Sequence, residues 1–451
     1  MLHHIIETST TIIAPATAAG GATMVIRLSG NQAIEIADRM FRGRRKLQEA
    51  EGYTLHYGTI CNESQETIDD VVVALFRAPN SYTGDDTVEI TIHGSEHICS
   101  EVIRIAIGYG AKIATAGEFT RRAFLAGKMD LSRAEAVADI IASDSRWSHN
   151  IATTQMRGGY STKLAELRGE LLRLCSLLEL ELDFSEEDVE FAERTTLKSI
   201  LSDVENQVAR LVASFSVGNA IKNGVNVAIV GEPNVGKSTL LNALVEEDRA
   251  MVSDIAGTTR DTIEATTIID GIRFRFVDTA GLRATDNQLE QMGITRTYRA
   301  IDNAHVILHL CSADNPGFQD IEFNDKQAYI KIINKIDKLS SSDYSLDRET
   351  LCISAKQGLG IEKLRELLRS TVDTSQLNSN SVVVSNMRHY DALKGAHEAL
   401  ISAHKAISDN LSAELISEDI RQVLHHLGEI TGEITSDDIL HSIFSKFCIG
   451  K

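Results

Sequence analysis

The pattern of apolar and polar positions changes twice along the chain. Residues 1–120 mix short runs rich in β-branched side chains with one or two helical stretches. Three of these runs lie between turn-forming residues and predict strands at Thr23–Leu28, Val71–Phe76 and Thr87–His93. The first part of the chain is therefore predicted to be an α+β domain.

Two later blocks have the periodicity of helices. They run from about Arg121 to Phe215 and from about Asn386 to the C-terminus, with apolar residues at three- and four-residue steps. These stripes are Leu164, Leu167, Leu171, Leu174, Leu178 and Leu182, and Ala392, Ala396, Ala399 and Ala403. Such a stripe is typical of a helix face buried in a core. The acidic run Asp183–Glu190 predicts a helix break within the first block.

Residues 224–372 separate the two helical blocks and alternate strands with helices. Apolar runs of strand length are Val225–Val230, Phe274–Val277, His305–Leu310, Ile330–Ile333 and Leu351–Ile353. This order is typical of a doubly wound parallel sheet. We therefore predict a multidomain chain, with an α+β domain at 1–120 and an α/β domain at 224–374. The α/β domain is inserted into a helical domain, which comprises 121–223 and 375–451.

Composition limits the class of protein. A chain of 451 residues with 43% apolar and 24% charged residues is sufficient for two or three globular domains. No run of eighteen apolar residues predicts a membrane span, and the N-terminus lacks the pattern of a secretory signal. Six scattered cysteines without a CxxC pair favour reduced thiols and a cytoplasmic location.

The net charge of −19 disfavours non-specific adhesion to nucleic acid, because neutralising phosphates requires clustered Lys and Arg. Two local basic groups leave RNA contact open, although a solvated or carboxylate-pairing face is the simpler interpretation of each. They consist of Arg42, Arg44, Arg45 and Lys46, and of Arg121, Arg122, Lys128 and Arg133.

A glycine-rich loop follows the strand Val225–Val230 and precedes the helical run Thr239–Val245. Its sequence is Gly231-Glu-Pro-Asn-Val-Gly-Lys-Ser238, which in this context predicts a phosphate-binding loop. Backbone N–H groups and the helix N-terminus would bind the phosphates. Lys237 should reach the β- and γ-phosphates, and the Ser238 hydroxyl should ligate Mg²⁺.

Two further motifs complete a γ-phosphate sensor. Asp278-Thr279-Ala280-Gly281 follows the strand Phe274–Val277, so Asp278 is placed to hold Mg²⁺ through water and the Gly281 N–H to sense the γ-phosphate. Between this motif and the loop lies Asp254–Asp261, in which Thr259 is the candidate switch hydroxyl that completes Mg²⁺ coordination.

The base-specificity motif follows the strand Ile330–Ile333. In Asn334-Lys335-Ile336-Asp337, the Asp337 carboxylate can accept hydrogen bonds from guanine N1–H and the exocyclic amine, a donor pair that adenine lacks. Ser354-Ala355-Lys356 would close over the base. These motifs predict GTP rather than ATP as the substrate.

Leu282 occupies the position after Gly281 where many small GTPases carry a water-orienting Gln. A leucine cannot orient water, so hydrolysis must recruit another group. Asn234 in the loop is placed to help bind a monovalent cation that would substitute for an arginine finger.

In combination, these features resemble the bacterial tRNA-modification GTPase family MnmE, also called TrmE, over essentially the whole chain. Besides the GTPase motifs, the segments that carry the resemblance are Pro79–Gly84, Gly117–Phe124, Ile430–Asp438 and the terminal Phe447-Cys-Ile-Gly-Lys451. The resemblance implies an N-terminal α+β domain that dimerises and binds folate, a helical domain, and a Ras-like GTPase domain inserted into it.

The resemblance also implies a function. With the FAD-containing flavoprotein MnmG (GidA), the family adds a carboxymethylaminomethyl or aminomethyl group at carbon 5 of the wobble uridine of certain tRNAs. It uses 5-formyl-tetrahydrofolate or a related folate as the one-carbon donor. It hydrolyses GTP with Mg²⁺ and K⁺, acts as a homodimer and has no membrane partner.

Transferred residue by residue, the resemblance implies four sets of site residues. Catalytic roles fall to Glu290, Lys237, Thr259 and Cys448. GTP-binding residues are Asn234, Val235, Gly236, Lys237, Ser238, Thr239, Ser253, Asp254, Ile255, Ala256, Gly257, Thr258, Thr259, Asp278, Thr279, Ala280, Gly281, Asn334, Lys335, Asp337, Ser354, Ala355 and Lys356. Folate ligands are Arg27, Glu89, Lys128 and Lys451. Metal ligands are Ser238 and Thr259 for Mg²⁺, and Asn234, Ser253, Ile255 and Thr258 for K⁺.

Three alternatives stay open. Cys448 is either a reactive thiol near the folate site or a small buried residue of a terminal helix. The whole chain is either a tRNA-modifying enzyme or a regulatory or ribosome-assembly GTPase that only switches. Residues 1–120 either bind folate or serve purely for dimerisation.

Overall fold

The structure, a computed structural model, describes residues 10–183, 194–245, 264–278, 300–324, 327–338, 350–372 and 382–451. Two compact units are present. The first comprises Met1–Ala138 with His425–Lys451, and the second comprises Asp139–Leu424.

The strands, in chain order, are β1 (Ile12–Pro15), β2 (Thr23–Ser29), β3 (Phe41–Gly43), β4 (Thr54–Cys61), β5 (Thr67–Phe76), β6 (Thr87–His93), β7 (Lys112–Ile113), β8 (Val225–Gly231), β9 (Glu264–Ile269), β10 (Ile272–Asp278), β11 (Val306–Ser312), β12 (Ala328–Asn334) and β13 (Thr350–Cys352). The α-helices are α1 (Ala33–Met40), α2 (Glu96–Gly108), α3 (Glu118–Leu125), α4 (Leu131–Ala142), α5 (Arg146–Met156), α6 (Gly159–Asp183), α7 (Arg194–Asn223), α8 (Lys237–Val245), α9 (Ile361–Ser370), α10 (Met387–Ser408), α11 (Ala413–Thr431) and α12 (Asp437–Phe444). No helix among the described residues is both long enough and apolar enough to cross a membrane.

A seven-stranded sheet forms the first unit, in the order β3-β4-β5-β6-β2-β1-β7. Its pairs are antiparallel except β1 with β7. The strands predicted at Thr23–Leu28, Val71–Phe76 and Thr87–His93 are confirmed as β2, β5 and β6. Because side chains alternate between faces, Val71, Val73 and Leu75 of β5 face one core with α1 and α2.

The C-terminal segment belongs to this first unit. Helix α12 begins after Ser436, whose hydroxyl accepts a hydrogen bond from the Ile439 N–H. Its buried residues Leu440 and Phe444 pack with Leu131 of α4. Beyond the helix, Ile449 forms an antiparallel bridge with Ala116. The last residues of the chain therefore lie against the N-terminal sheet unit.

The second unit combines helices with a six-stranded sheet. Five leucines of the predicted stripe are confirmed as buried on α6, namely Leu164, Leu167, Leu171, Leu174 and Leu178. The side chain of the sixth, Leu182, lies outside the described part of the chain. The alanine stripe is confirmed on α10, where Ala392, Ala396, Ala399 and Ala403 are buried. Helix α6 ends at Asp183, the first residue of the predicted break Asp183–Glu190, and residues 184–190 lie outside the described residues.

The six-stranded sheet has the order β13-β12-β11-β8-β10-β9. All pairs are parallel except β9 with β10. The five predicted strands are confirmed as β8, β10, β11, β12 and β13, each shifted at its ends by a few residues. This is a doubly wound sheet in which β8 lies between β10 and β11, so the loop after β8 emerges at the centre of the carboxyl edge.

Candidate functional site

The glycine-rich loop connects β8 with α8. Helix α8 begins at Lys237, two residues earlier than predicted. The Lys237 side chain is buried, and its ammonium donates hydrogen bonds to the carbonyls of Gly231 at 2.7 Å and Glu232 at 2.9 Å. A buried ammonium needs such partners, and these bonds hold the loop folded back over the start of the helix.

Gly236 has a φ of +101°, in the left-handed region that favours glycine, and at this residue the loop passes very close to Asn334. A Cβ at this position would collide with the Asn334 side-chain nitrogen. That buried amide donates to the Val235 carbonyl at 2.9 Å and accepts from the Ala355 N–H at 3.0 Å. Asn334 therefore joins the phosphate loop to the segment that follows β13.

Asp337 lies in a short 3₁₀ turn, Ile336–Lys338, and accepts a hydrogen bond from the Ser354 hydroxyl at 2.6 Å. This bond is the main cause that lowers the pKa of the Asp337 carboxyl, with smaller contributions from Lys356 and Lys338. The carboxylate is thus ionised at neutral pH and acts purely as an acceptor. That is the state required to bind the N–H groups of guanine.

Lys335 and Asn234 complete the contact between the motifs. The Lys335 ammonium donates to the Asn234 carbonyl at 2.5 Å. Asn234 itself has a φ of +65°, and its side chain is exposed. The predicted motifs around residues 231–239, 334–337 and 354–356 are therefore brought together at one edge of the sheet.

The remaining GTPase motif residues are only partly described. Asp278 ends β10, where its backbone is paired with Ile229 of β8. Ser238 and Thr239 are exposed in the first turn of α8. The predicted residues that lie outside the described residues are Ser253, Asp254, Ile255, Ala256, Gly257, Thr258, Thr259, Thr279, Ala280, Gly281 and Glu290.

A second polar cluster lies on the first unit's sheet, on the face opposite the core. Arg27 of β2 and Glu89 of β6 are directly paired in register, and the Arg27 Nε donates to the Glu89 carboxylate at 2.8 Å. The Arg27 guanidinium lies 5.5 Å from the ring centroids of both Tyr82 and Phe119. The Arg27 Nη1 also donates to the Gly450 carbonyl at 3.4 Å.

The chain terminus is held at this cluster by a close backbone approach. Gly450 has a φ of +98°, and a Cβ there would collide with the Pro15 carbonyl oxygen. Lys451 follows directly. Of the predicted folate ligands, Arg27 is thus in contact with Glu89 and with Gly450, the residue before Lys451. Lys128 donates to the Pro79 carbonyl, in the same Pro79–Gly84 segment that carries Tyr82.

Cys448 is exposed and lies beyond the end of α12 at Phe444. The alternative of a small buried residue inside a terminal helix is therefore wrong. The Cys448 carbonyl accepts a long hydrogen bond of 3.5 Å from the Gly117 N–H, while its thiol lies at the surface. Directly after Cys448, Ile449 pairs with Ala116 in an antiparallel bridge.

Sequence reasoning assigned no role to Tyr82, Phe119 or Gly450. Burial raises the pKa of Tyr82, and its protonated hydroxyl is within 2.9 Å of the Thr120 hydroxyl. The only signal for these residues was their membership of the segments Pro79–Gly84, Gly117–Phe124 and Phe447–Lys451, which carry the family resemblance. Their convergence on Arg27 depends on tertiary structure.

Comparison with known proteins gives matches over nearly the whole chain. Residues 11–128 match the family model described as GTP-binding protein TrmE N-terminus, and residues 131–448 match the MnmE helical domain. The tRNA modification GTPase MnmE of Flavobacterium johnsoniae is 48% identical over 461 residues, covering 98% of this chain and 99% of that protein. The protein of the same name from Bacteroides fragilis is 47% identical over 462 residues, with the same coverage.

Among solved structures, Aquifex aeolicus Era bound to GDP.AlF4- is 26% identical over 39% of this chain and 66% of its own, with a TM-score of 0.26. A score this low adds nothing to the assignment. The family models, together with the topology of the two sheets, confirm the predicted fold class: an N-terminal α+β domain, a helical domain, and a Ras-like α/β domain within it.

Proposed function

The chain belongs to the MnmE family of tRNA modification GTPases, and from that premise we propose how its two sites divide the work. Family membership establishes a GTP hydrolase with a role in tRNA modification. We propose that hydrolysis is stimulated by K⁺. Together with the flavoprotein MnmG (GidA), the protein adds a carboxymethylaminomethyl or aminomethyl group at carbon 5 of the tRNA wobble uridine.

The observation that carries this proposal is the convergence of the chain terminus with Arg27 and Glu89. A reduced folate has a flat, hydrogen-bonding pterin and an anionic tail. The Arg27 and Glu89 pair offers charged hydrogen-bonding groups beside the rings of Tyr82 and Phe119. Lys451 and Lys128 are suited to the carboxylates of the tail. The cluster thus supports binding of 5-formyl-tetrahydrofolate or a related one-carbon donor.

The test of the function is analytical. In a strain lacking this protein, mass spectrometry of tRNA nucleosides should show wobble uridines without the carbon-5 group, and the intact gene should restore it. Unchanged wobble nucleosides would favour the alternative, a regulatory or ribosome-assembly GTPase that only switches. Titration of a reduced folate against the full chain also distinguishes the tRNA-modifying enzyme from the regulatory GTPase. Saturable folate binding is expected only for the enzyme.

In the nucleotide site, we propose that Lys237 binds the β- and γ-phosphates, while Ser238 and Thr259 hold Mg²⁺. The exposed Ser238 hydroxyl, next to the buried Lys237 at the start of α8, is a fitting oxygen ligand. When bound, Mg²⁺ neutralises charge on the phosphate oxygens. Asn334 keeps the loop and the base-binding segment in register, and Asp337 selects guanine.

We further propose that K⁺ and Glu290 replace the missing Gln, with Asn234, Ser253, Ile255 and Thr258 as K⁺ ligands. The role of Asn234 is supported by its immediate surroundings in the loop. Its backbone carbonyl already accepts a hydrogen bond from the Lys335 ammonium, and the residue is exposed. An amide oxygen there can ligate a cation that offsets charge developing during hydrolysis.

This hydrolytic arrangement predicts the result of a two-by-two experiment. GTP turnover is measured for the wild type and Glu290→Ala, each in KCl and in NaCl of equal ionic strength. Either change alone should slow turnover by about a hundredfold, as expected for loss of one group that acts on the transition state. GTP affinity should stay nearly constant. If Na⁺ supports equal rates, the cation role of Asn234 is wrong, and a parallel loss of affinity would make Glu290 structural.

We propose that the homodimer forms through the open face of the first unit's sheet. On this face Tyr57 of β4 is paired with Val72 of β5, and Leu55 is two residues along β4. Leu55, Tyr57 and Val72 are 73%, 72% and 38% exposed. An apolar sheet face of this kind, beside the Arg27 cluster, is typical of an interaction surface.

Tyr57→Asp should therefore weaken dimerisation by about thirtyfold or more, because it removes an aromatic anchor and places a charge in an apolar interface. Analytical ultracentrifugation across a concentration series measures the effect. Ile107→Asp is the matched control, since Ile107 is 40% exposed on α2, which packs on the other face of the same sheet. Equal dissociation constants for the wild type and Tyr57→Asp would locate the dimer contact elsewhere.

A further inference from the structure

A basic loop follows the edge strand of the first unit's sheet. Strand β3 stands at one end of the strand order and, among the described strands, pairs only with β4. Residues 42–46 are all exposed and form the basic loop, in which Arg42, Arg44, Arg45 and Lys46 are cationic. From residue 38 to residue 51 the chain has five cationic and three carboxylate side chains. This segment is therefore locally positive, although the whole chain has a net charge of −19.

Both ends of the basic loop are anchored by buried residues. Phe41 and Leu47, which flank it, are 4% and 0% exposed and belong to the core of the first unit. The Leu47 N–H also donates to the Asp38 carboxylate at 2.5 Å. Further along, the Arg77 Nε donates to the Ala50 carbonyl at 3.0 Å. Because the backbone is held at both ends, less conformational entropy is lost when the cations bind a partner than in a flexible tail.

Ion pairing within the fold does not account for these cations. In the described part of the chain, the Arg42 guanidinium donates only to neutral oxygens, among them the Gln65 amide oxygen at 3.1 Å. The side chains of Arg44, Arg45 and Lys46 form neither an ion pair nor a hydrogen bond with any described residue. A carboxylate-pairing face is therefore the wrong interpretation of this basic group.

The second basic group of the sequence has a different environment. Its Arg122 is 4% exposed, forms an ion pair with Glu118 at 2.9 Å and donates to the Thr10 carbonyl at 2.7 Å. The Lys128 ammonium donates to the Pro79 carbonyl. Both cations have partners inside the fold, so the basic loop is the stronger candidate for contact with an external polyanion.

We propose that the basic loop binds the phosphate backbone of the tRNA on which the protein acts. Guanidinium groups offer forked donors that match phosphate oxygens, and such contacts hold a nucleic acid in place without reading its sequence. In an acidic protein these contacts must come from a local positive surface, because the remaining surface repels phosphates. The inference rests on the proposed role in tRNA modification and adds the surface that holds the tRNA.

Two other roles would use the same charges. Cations at a sheet edge oppose pairing with the edge strand of a second copy. Clusters of Arg and Lys also attract anionic lipid headgroups. The role of the family in tRNA modification favours RNA over both, and the experiment distinguishes the three.

The test is tRNA binding by the full chain in the presence of saturating GDP and Mg²⁺. A fluorescently labelled tRNA transcript is titrated with protein, and its anisotropy is measured over a series of salt concentrations. The double variant Arg44→Gln/Arg45→Gln should bind tRNA about tenfold or more weakly at low salt, because two phosphate contacts are lost. The slope of log K against log salt should also decrease by about two. Arg44→Lys/Arg45→Lys keeps both charges and should keep most of this slope.

Lys112→Gln/Arg104→Gln is the matched control. It removes the same number of positive charges from exposed positions of the same unit. Lys112 lies on β7, at the opposite edge of the sheet, and Arg104 lies on α2. The control should bind tRNA with the affinity and salt slope of the wild type. Melting temperatures of all variants should equal that of the wild type, because the changed side chains are exposed.

Four results would overturn the proposal. The first is equal affinity and salt slope in Arg44→Gln/Arg45→Gln and the wild type. The second is an equal loss in the control, which would make the effect one of net charge. The third is unchanged tRNA affinity with new self-association of the glutamine variant in analytical ultracentrifugation, which would assign the charges to protection of the sheet edge. The fourth is unchanged tRNA affinity with loss of binding to phosphatidylserine vesicles, which would assign them to a membrane surface.

Failure of this inference is distinguishable from failure of the proposed function. Unchanged wobble nucleosides in a strain lacking the protein would overturn the function, whatever the variants bind. If the deletion removes the modification, and Arg44→Gln/Arg45→Gln restores it fully and binds tRNA like the wild type, only the role of the basic loop is wrong.

Discussion

Asp337→Asn should change the nucleotide preference from GTP to xanthosine triphosphate. The Asp337 carboxylate is ionised and positioned by the Ser354 hydroxyl at 2.6 Å, so it offers guanine two acceptor positions. An asparagine offers one acceptor and one donor, which fits the N1–H and the C2 carbonyl of xanthine instead. Because hydrogen bonds to charged groups contribute about 1.5–3 kcal/mol each, affinity for GTP should fall by about a hundredfold or more.

The measurement is competition of GTP and xanthosine triphosphate against a fluorescent nucleotide. Asp270→Asn is the matched control. Asp270 is an exposed aspartate of the same unit, in the turn between β9 and β10, and it forms an ion pair with Arg369 at 3.2 Å. The control should keep the preference of the wild type for GTP. If Asp337→Asn keeps it too, the assignment of Asp337 as the guanine-binding residue is wrong.

Arg27→Ala should strongly weaken folate binding and reduce wobble-uridine modification while leaving GTP turnover intact. Arg27 is in contact with the Glu89 carboxylate, the Gly450 carbonyl and the rings of Tyr82 and Phe119. Its removal leaves Glu89 without this partner and releases the terminus that ends in Lys451. Loss of these charge-assisted bonds should weaken folate binding by about a hundredfold.

Three readouts separate this effect from general unfolding. Calorimetric titration measures binding of a reduced folate, mass spectrometry measures wobble nucleosides in a complemented strain, and a steady-state assay measures GTP hydrolysis. Arg104→Ala is the control, since Arg104 is an exposed arginine of the same unit, paired with Glu101 at 2.8 Å. It should leave all three unchanged. Loss of GTP hydrolysis in step with folate binding in Arg27→Ala would mean that Arg27 is structural.

The GTPase half was largely predictable because its signals are short-range. The central strands β8 and β11 of the parallel sheet are mostly apolar and buried, and the phosphate loop follows directly at the end of β8. The glycines and the lysine of the phosphate loop and the start of α8 all lie within the segment Gly231–Ser238. The base-binding role of Asp337 likewise depends on its position after β12. A sequence pattern is sufficient to predict a site when the residues that form the site are close together in the sequence.

The sheet of the first unit was only half predictable. Strand β4 was not among the predicted strands, and its apolar residues Leu55 and Tyr57 lie on the exposed face of the sheet rather than in the core. Strand β7 has two residues and exists only through its pairing with β1. The three predicted strands, β2, β5 and β6, are those with one regularly buried apolar face.

The doubly wound sheet, the helical stripes and the chemistry of the phosphate loop follow from local sequence patterns, because each depends on residues a few positions apart. Which distant groups come into contact depends on tertiary packing. The Arg27 side chain reaches the Gly450 carbonyl across 423 positions of chain, and Asn334 joins two loops that no local pattern connects. Such contacts depend on how whole helices and strands pack. Burial of their apolar faces brings elements that are distant in sequence together, and with them the polar residues at their ends.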